Sequence, residues 1–140
     1  MKKPKHLLFA LRRFWPEITT IVDAKNKLTI TVLAEDVAGA EPNKPEACAV
    51  ARACVREYKV DAVAVFRGRA YLRQGPHVTR FCVPEKITRE LISFDRARFF
   101  TPGVYTLLPP SESARLGITA HATGTGTKMH PTANWRDALL

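Results

Sequence analysis

The 140-residue chain lacks several of the features by which a sequence is assigned to a class of protein. It has no apolar run of about 18 residues, so no membrane span is expected. It has only three cysteines, an odd number in a small chain, which argues against the disulfide framework of a secreted domain. Its apolar fraction of 46% and charged fraction of 25% are ordinary globular values, which excludes a wholly disordered chain. The length suits one domain.

Catalytic and metal-binding signatures are also missing. There is no G-x-S-x-G elbow, no C-x₂₋₄-C pair and no phosphate loop, since Gly124-x-Gly126 lacks the Lys-Ser/Thr ending. We therefore expect a non-enzymatic protein without a metal or cofactor. Cys48 and Cys54 are interpreted as small apolar core residues. An enzyme that uses a cysteine together with His77 is the alternative left open.

Acidic side chains are absent from the first 16 residues, which carry five Lys and Arg and therefore a net charge of +5. Leu7–Leu11 is the longest apolar stretch there, shorter than the roughly 7–15 residues of a signal peptide, and no cleavage site follows it. A cytoplasmic location is therefore expected.

Positive charge is the unusual property of this sequence. The 22 Lys and Arg against 13 Asp and Glu give a net charge of +9 and an isoelectric point near 9.9. Residues 17–49 hold three Lys and six acids (−3), residues 50–100 eleven basic and five acidic side chains (+6), and residues 101–140 three and two (+1). The excess lies at the N-terminus and in the centre, which favours nucleic acid or an acidic protein surface as partner. The alternative is that the basic side chains serve only to keep the protein soluble and monomeric.

The N-terminal segment has the apolar spacing of a helix that Pro16 ends. Residues 1–16 are therefore predicted to form a basic amphipathic helix. It either packs on a sheet or binds nucleic acid, a membrane surface or the groove of a partner. The apolar positions are Leu7, Leu8, Leu11, Phe14 and Trp15.

Residues 17–110 are predicted to form an α+β domain, a small antiparallel sheet with two packed helices. Ile18–Val22 and Leu28–Leu33 are expected to pair as a hairpin, and Glu35 to Pro45 to form a loop in which Glu35-Asp36 can start a helical turn. The helices are predicted over Pro45–Tyr58 and from Pro84-Glu85 onward, because Pro and Glu favour a first helical turn. The remaining predicted strands are Val60–Phe66, Ala70–Arg73, Val78–Val83 and Val104–Leu108.

Residues 111–140 have the composition of an extended tail, rich in Thr and Gly and without a core of their own. Near its end, Trp135, Leu139 and Leu140 have the spacing of one helical turn. These three residues are predicted to be an interaction motif that docks on a neighbouring protein.

Arginines and aromatic residues alternate on the predicted strands around residue 70. Arg67, Arg69, Tyr71 and Arg73 share one strand parity, and Phe66, Ala70 and Leu72 share the other. The apolar set is expected to face the core, and the arginines with Tyr71 to face solvent. Such a face can bind phosphates, although a charged strand that resists aggregation is the other interpretation.

Three segments resemble a family of small uncharacterised proteins from tailed phages: LTITVLAEDV, PEACAVARACVRE and LISFDR. The family has a strand that ends in an acidic pair (here Glu35-Asp36), an Ala-rich helix with cysteine, a hairpin, and a late Phe-Asp-Arg (Phe94 to Arg96). The resemblance covers about residues 28–108. The chain departs from it at Ala49, where the family has Pro, and at Ala97, where it often has Gly. It implies a phage context, in the host cytoplasm or the virion, and no catalytic residue.

These observations lead to one expected function and one alternative. The expected function is a small basic phage-type protein that binds nucleic acid or a host nucleoprotein complex. The alternative is a virion-associated or other structural protein that docks neighbours through its terminal segments. The candidate phosphate-binding residues are Lys2, Lys3, Lys5, Arg12, Arg13, Arg67, Arg69, Arg73 and Arg80.

Overall fold

A computed structural model describes residues 4–116 and 120–121 of the chain and confirms the α+β class. In this part of the chain no helix has the length and apolar character needed to cross a bilayer. The elements are α1 Pro4–Leu11, β1 Thr20–Asp23, β2 Leu28–Val32, α2 Ala34–Ala38, α3 Ala49–Tyr58, β3 Ala62–Val65, β4 Arg69–Gln74, β5 His77–Cys82, α4 Glu85–Ala97, β6 Gly103–Leu107 and β7 Ala120–His121, with a 3₁₀ turn at Glu112–Ala114.

The larger sheet has the strand order β3-β4-β5-β1-β7. The predicted antiparallel neighbours β3, β4 and β5 are confirmed, with Ala64 opposite Tyr71 and Tyr71 opposite Arg80. The expectation of a purely antiparallel sheet is wrong at one pair, because β1 lies parallel to β5, with Ile21 opposite Val78. The two-residue strand β7 pairs antiparallel with the other side of β1.

The predicted hairpin between the first two strands is wrong. β2 leaves β1 and pairs antiparallel with β6 in a separate two-stranded sheet, where Ile30 lies opposite Tyr105. A bridge between Cys82 and Leu108 links the two sheets. The polar connection at residues 24–27 thus carries the chain from one sheet to the other. Its composition is typical both of a hairpin turn and of a connection between two sheets. Which of the two forms depends on packing that the local sequence does not encode.

The predicted helices are present with shifted ends. The first central helix begins at Ala49 instead of Pro45, because the carbonyl of Pro45 accepts a hydrogen bond from the Val65 N–H (2.9 Å) and so extends the sheet edge. The expected loop before it contains the short helix α2. Its turn is closed by Asp36, whose carboxylate accepts the Leu33 N–H (2.8 Å). The acidic pair therefore starts a helix, the alternative that the sequence left open.

The main core lies on one face of the larger sheet. Helices α3 and α4 and the inner face of the two-stranded sheet cover that face, with Ile87, Leu91 and Phe94 contributed by α4. Alanine and cysteine at the inner positions of α3 bring this helix close to the strands. The sheet contributes Val63, Val65, Ala70, Leu72 and Phe81. The prediction for this face is confirmed for Ala70 and Leu72 and wrong for Phe66, which follows β3 and packs on the opposite face beside Tyr71.

A second core lies on the opposite face of the same sheet. Leu7, Leu8 and Leu11 of α1 pack there against Tyr71, Val78 and further residues. Leu116, from the segment expected to be a tail, is buried in the same cluster. Helix α1 ends at Leu11, four residues before Trp15, the last apolar position of the predicted helix. It packs on the sheet, which is one of the alternatives stated for this segment.

The outer edge of β2 is closed by the last turn of α3. Glu57 accepts a hydrogen bond from the Thr31 N–H (2.9 Å), Arg56 donates to the Thr31 carbonyl (2.6 Å), and the Tyr58 hydroxyl donates to the Thr29 carbonyl. Backbone groups at a free edge invite pairing with another chain. Side chains of α3 occupy these groups, which protects this edge from strand addition.

Candidate anion-binding face

Three arginines surround Tyr71 on the sheet face that carries the second core. Arg69 and Arg73 lie two residues to either side of Tyr71 on β4, and Arg80 lies directly opposite Tyr71 on β5. Alternation along the strands places all four side chains on this face. We call Arg69, Arg73 and Arg80 the arginine cluster.

Each guanidinium of the cluster makes only part of its possible hydrogen bonds. Arg69 donates to the Gly68 carbonyl (2.8 Å) and Arg73 to the Gly75 carbonyl (3.0 Å), so the turns at the two ends of β4 hold these side chains in place. The Nε–H groups of Arg69, Arg73 and Arg80 are buried and have no acceptor. Among the described residues, no other buried side-chain nitrogen or oxygen atom lacks a hydrogen-bond partner. Unsatisfied buried donors are rare and mark a place where an acceptor is favoured.

Arg80 is the central and most buried member, at 2% exposure. It donates to Asp23 (2.7 Å) and to the Ala114 carbonyl (3.1 Å), and Asp23 also accepts the Leu116 N–H (2.6 Å). This ion pair therefore fastens residues 114–116 to the sheet. With one carboxylate against three guanidinium groups, the cluster together with Asp23 retains two positive charges.

Tyr71 is fully buried, contrary to the expectation of a solvent-facing side chain. The reason is α1, whose leucines cover the centre of this sheet face. Arg69 and Arg73 are half-buried at its margins, because their long stems pack on apolar surface while the charged heads reach outward. Burial raises the pKa of Tyr71 to about 12, although the charges of Arg80 and Arg69 act in the opposite direction. The phenol is therefore a neutral hydroxyl at physiological pH.

Aromatic rings connect the end of α1 to the cluster. Phe14 contacts Phe66 at 6.0 Å between ring centroids, and Phe66 contacts Tyr71 at 5.9 Å, both edge to face. Phe66 lies beside Arg69, whose carbonyl accepts its N–H (2.7 Å). The chain just after α1 and the arginine cluster thus belong to one side of the molecule.

The predicted phosphate-binding residues divide into four groups, one of which is Arg67 alone. Arg69, Arg73 and Arg80 come together in the cluster, and α1 brings Arg12 and Arg13 to the same side of the sheet. The Arg12 Nε–H donates to the Ile18 carbonyl (3.0 Å), while Arg13 is exposed. Lys5 belongs to α1 by its backbone. Lys2 and Lys3, and the predicted docking residues Trp135, Leu139 and Leu140, lie outside the described residues.

Arg67 does not join the cluster. It follows β3 and pairs with Asp95 of α4 at 3.5 Å, at the rim of an open cleft of about 250 Å³. Asp95 also accepts the Asn43 N–H (2.8 Å), and the cleft floor includes Val65, Leu91 and Cys48. Its one Arg is neutralised by a carboxylate, so the cleft adds little to the positive field.

Half of the described acidic side chains hydrogen-bond to backbone N–H groups. Six carboxylates accept backbone N–H groups at 2.6–2.9 Å: Asp23, Asp36, Glu57, Asp61, Glu90 and Asp95. Sequence reasoning missed this role, since a carboxylate that caps a distant N–H has no local pattern. Its consequence is that these carboxylates fix turns and strand ends in place.

The cysteines of the described core lack the environment of a nucleophile. Burial raises the pKa of Cys48 to about 11, and burial likewise raises the pKa of Cys54. Both thiols are therefore protonated at neutral pH, and the thiolate is the reactive form. Among residues 4–116 and 120–121, no group of three or more His, Cys, Asp and Glu side chains is arranged to hold a metal ion.

Comparison with known proteins finds no relative of this chain. No family model, no curated protein and no solved structure matches this chain. The resemblance to tailed-phage proteins therefore stays a prediction, and the function has to be argued from the residues themselves.

Proposed function

We propose that this protein binds nucleic acid without catalysing a reaction, and that the side of the sheet bearing α1 and the arginine cluster contacts the phosphates. The observation that carries the proposal is the pair of half-buried guanidinium groups of Arg69 and Arg73, whose Nε–H donors lack an acceptor, in a cluster that retains two positive charges in excess of Asp23. Guanidinium groups bind phosphate oxygens through several parallel hydrogen bonds, which suits donors that lack an acceptor.

The roles within this face follow from exposure. Arg69 and Arg73 are half-buried and held by turn carbonyls, so they can offer their remaining donors at little cost in side-chain entropy. Arg13 is exposed just after α1 and carries a positive charge on the same side of the sheet, as would Lys2, Lys3 and Lys5 on the predicted basic segment. Arg80 is too buried for direct contact, and its role is to position Tyr71 and to raise the local potential.

The test removes charge from this face and, in a matched control, from the other side of the sheet. Titration of oligonucleotides at about 50 to 200 mM salt is expected to show affinity that falls steeply with salt. The double variant Arg69→Gln, Arg73→Gln is expected to bind at least tenfold more weakly and to reduce the log–log salt slope by up to about 2.

Arg89→Gln, Arg96→Gln removes the same charge from exposed positions of α4 and serves as the control. Equal loss in both double variants would mean that only net charge matters, which contradicts a defined face. Binding that does not depend on salt would contradict a phosphate contact altogether.

An acidic protein surface, including docking in a virion or in a host nucleoprotein complex, is the alternative partner. Affinity purification with and without nuclease separates the two, because partners bridged by nucleic acid are lost on digestion. Partners that persist after digestion, and are lost when residues 122–140 are removed, would favour the docking protein instead.

A further inference from the structure

Helix α1 exposes a phenylalanine on its outer surface. Phe9 is 73% exposed, the highest value among the large apolar side chains that the structure describes. His6, three residues before Phe9, is exposed on the same side of the helix, and Arg13, in the turn that follows α1, is exposed too. Arg12, which also neighbours Phe9, is fixed by its bond to the Ile18 carbonyl (3.0 Å). The exposed ring of Phe9 thus lies near basic side chains.

The remaining apolar side chains of α1 are already used. Leu7, Leu8, Ala10 and Leu11 are buried in the second core. An amphipathic helix that lies in a membrane surface, or in a partner's apolar groove, needs a stripe of several apolar residues. Among the described side chains of α1, Phe9 is the apolar one that faces outward, so the partner must be one that recognises a single ring close to the positive charges of Arg12 and Arg13.

Unpaired nucleic acid has that complementary chemistry. Its bases offer flat faces that stack on an aromatic side chain, and the adjoining phosphates pair with cations. In a duplex the base faces are stacked on each other, so a ring on a convex helix cannot reach them. Resting on the proposed function, we infer that the ligand is single-stranded nucleic acid and that one base stacks on Phe9.

The experiment compares Phe9→Ala with the native protein on matched short oligonucleotides: single-stranded, duplex, and single-stranded with abasic sites. Phe9→Ala is expected to weaken binding to the normal single strand by about tenfold, the effect of one lost stacking contact. The salt slope is expected to stay unchanged, because no phosphate contact is removed. On the abasic strand the two proteins are expected to bind equally. Phe9→Tyr is expected to restore affinity, since its ring also stacks.

Phe99→Ala is the matched control. Phe99 is 64% exposed, and it follows α4 on the other side of the sheet, next to Arg98. Its removal is expected to leave affinity unchanged. The thermal midpoints of both variants, expected to equal that of the native protein, show that the fold is intact.

Three results would overturn the inference. They are equal affinity of Phe9→Ala and the native protein for the single strand, an equal loss on the abasic strand, or tighter binding of duplex than of single strand. In each of these cases the proposed function stands if Arg69→Gln, Arg73→Gln still weakens binding. If no oligonucleotide binds, the proposed function itself fails and the inference falls with it.

Discussion

At the scale of single residues, Asp36 is the acidic side chain most deeply buried among those described. It accepts hydrogen bonds from the Leu33 N–H (2.8 Å) and from Arg56 (2.9 and 3.2 Å), so it holds the start of α2 against the end of α3. Burial opposes its ionisation, but the bonds from Arg56 and Leu33 outweigh burial and hold the pKa of Asp36 below its usual value. The carboxylate form is therefore part of the fold.

Replacement of this carboxylate should lower stability in a pH-dependent way. Asp36→Asn is expected to reduce the free energy of unfolding by about 2 kcal/mol at pH 7, because a charged, buried hydrogen-bond acceptor is lost. A lowered folded-state pKa contributes stability above the unfolded value, near 3.8, and loses it as pH falls through the folded value. The difference between the two proteins should therefore shrink below that pH.

Urea unfolding at neutral and at acidic pH measures this difference. The exposed neighbour Glu35 supplies the control, since Glu35→Gln is expected to leave stability within about 0.5 kcal/mol. A difference between Asp36→Asn and the native protein that is equally large at acidic pH would contradict the role of ionised Asp36.

At the scale of elements, α1 determines which side chains of β4 are buried. The alternation of Arg69, Tyr71 and Arg73 with apolar residues predicts one core face and one solvent face, and the core face is confirmed. The other face is covered because α1 packs across its centre, which buries Tyr71 and leaves the arginines at the margin. Alternation along a strand indicates which side chains share a face of the sheet. It does not indicate whether another element, such as α1, packs on that face.

Since α1 contributes to the second core, it should behave as part of the fold. Leu11 is fully buried there, and Leu11→Ala is expected to lower the free energy of unfolding by about 3 kcal/mol through lost burial and an unfilled cavity. Denaturant unfolding followed by circular dichroism measures this. Phe9→Ala on the same helix is expected to change stability by less than about 0.5 kcal/mol. Equal stability of Leu11→Ala and the native protein would show that α1 is only appended.

At the scale of the whole molecule, the two cores close both faces of the larger sheet. Cys48 and Cys54 lie in the main core; Cys54 is fully buried, so its thiol is reached only when that core opens, whereas Cys48 also lines the floor of the open cleft. Because burial raises their pKa values, access and ionisation both limit their chemistry.

Thiol modification therefore reports global opening. In native protein at pH 8, iodoacetamide is expected to leave Cys54 unmodified and to modify Cys48 only slowly, because its thiol is protonated, while the half-buried Cys82 reacts first. In denaturant all three should react at similar rates. Mass spectrometry of the digested protein measures the sites. Fast native modification of Cys48 would contradict its protonated state and would favour the cysteine-enzyme hypothesis.

The sequence by itself determined the α+β class, the positions of the central strands and helices, the apolar face of β4 and the uneven placement of positive charge. These depend on local periodicity, on proline and glycine at element ends, and on composition. Tertiary structure alone decided that β1 lies beside β5 and β2 beside β6, because strand periodicity is the same whichever neighbour a strand pairs with.

Tertiary structure also decided which charges remain available. Carboxylates distant in sequence cap backbone N–H groups, Asp23 neutralises Arg80, and Asp95 neutralises Arg67. The net charge of +9 is thus a property of the sequence. The meeting of Arg69, Arg73 and Arg80 around Tyr71 follows from packing, because only folding brings β4, β5 and the N-terminal helix to one side of the molecule.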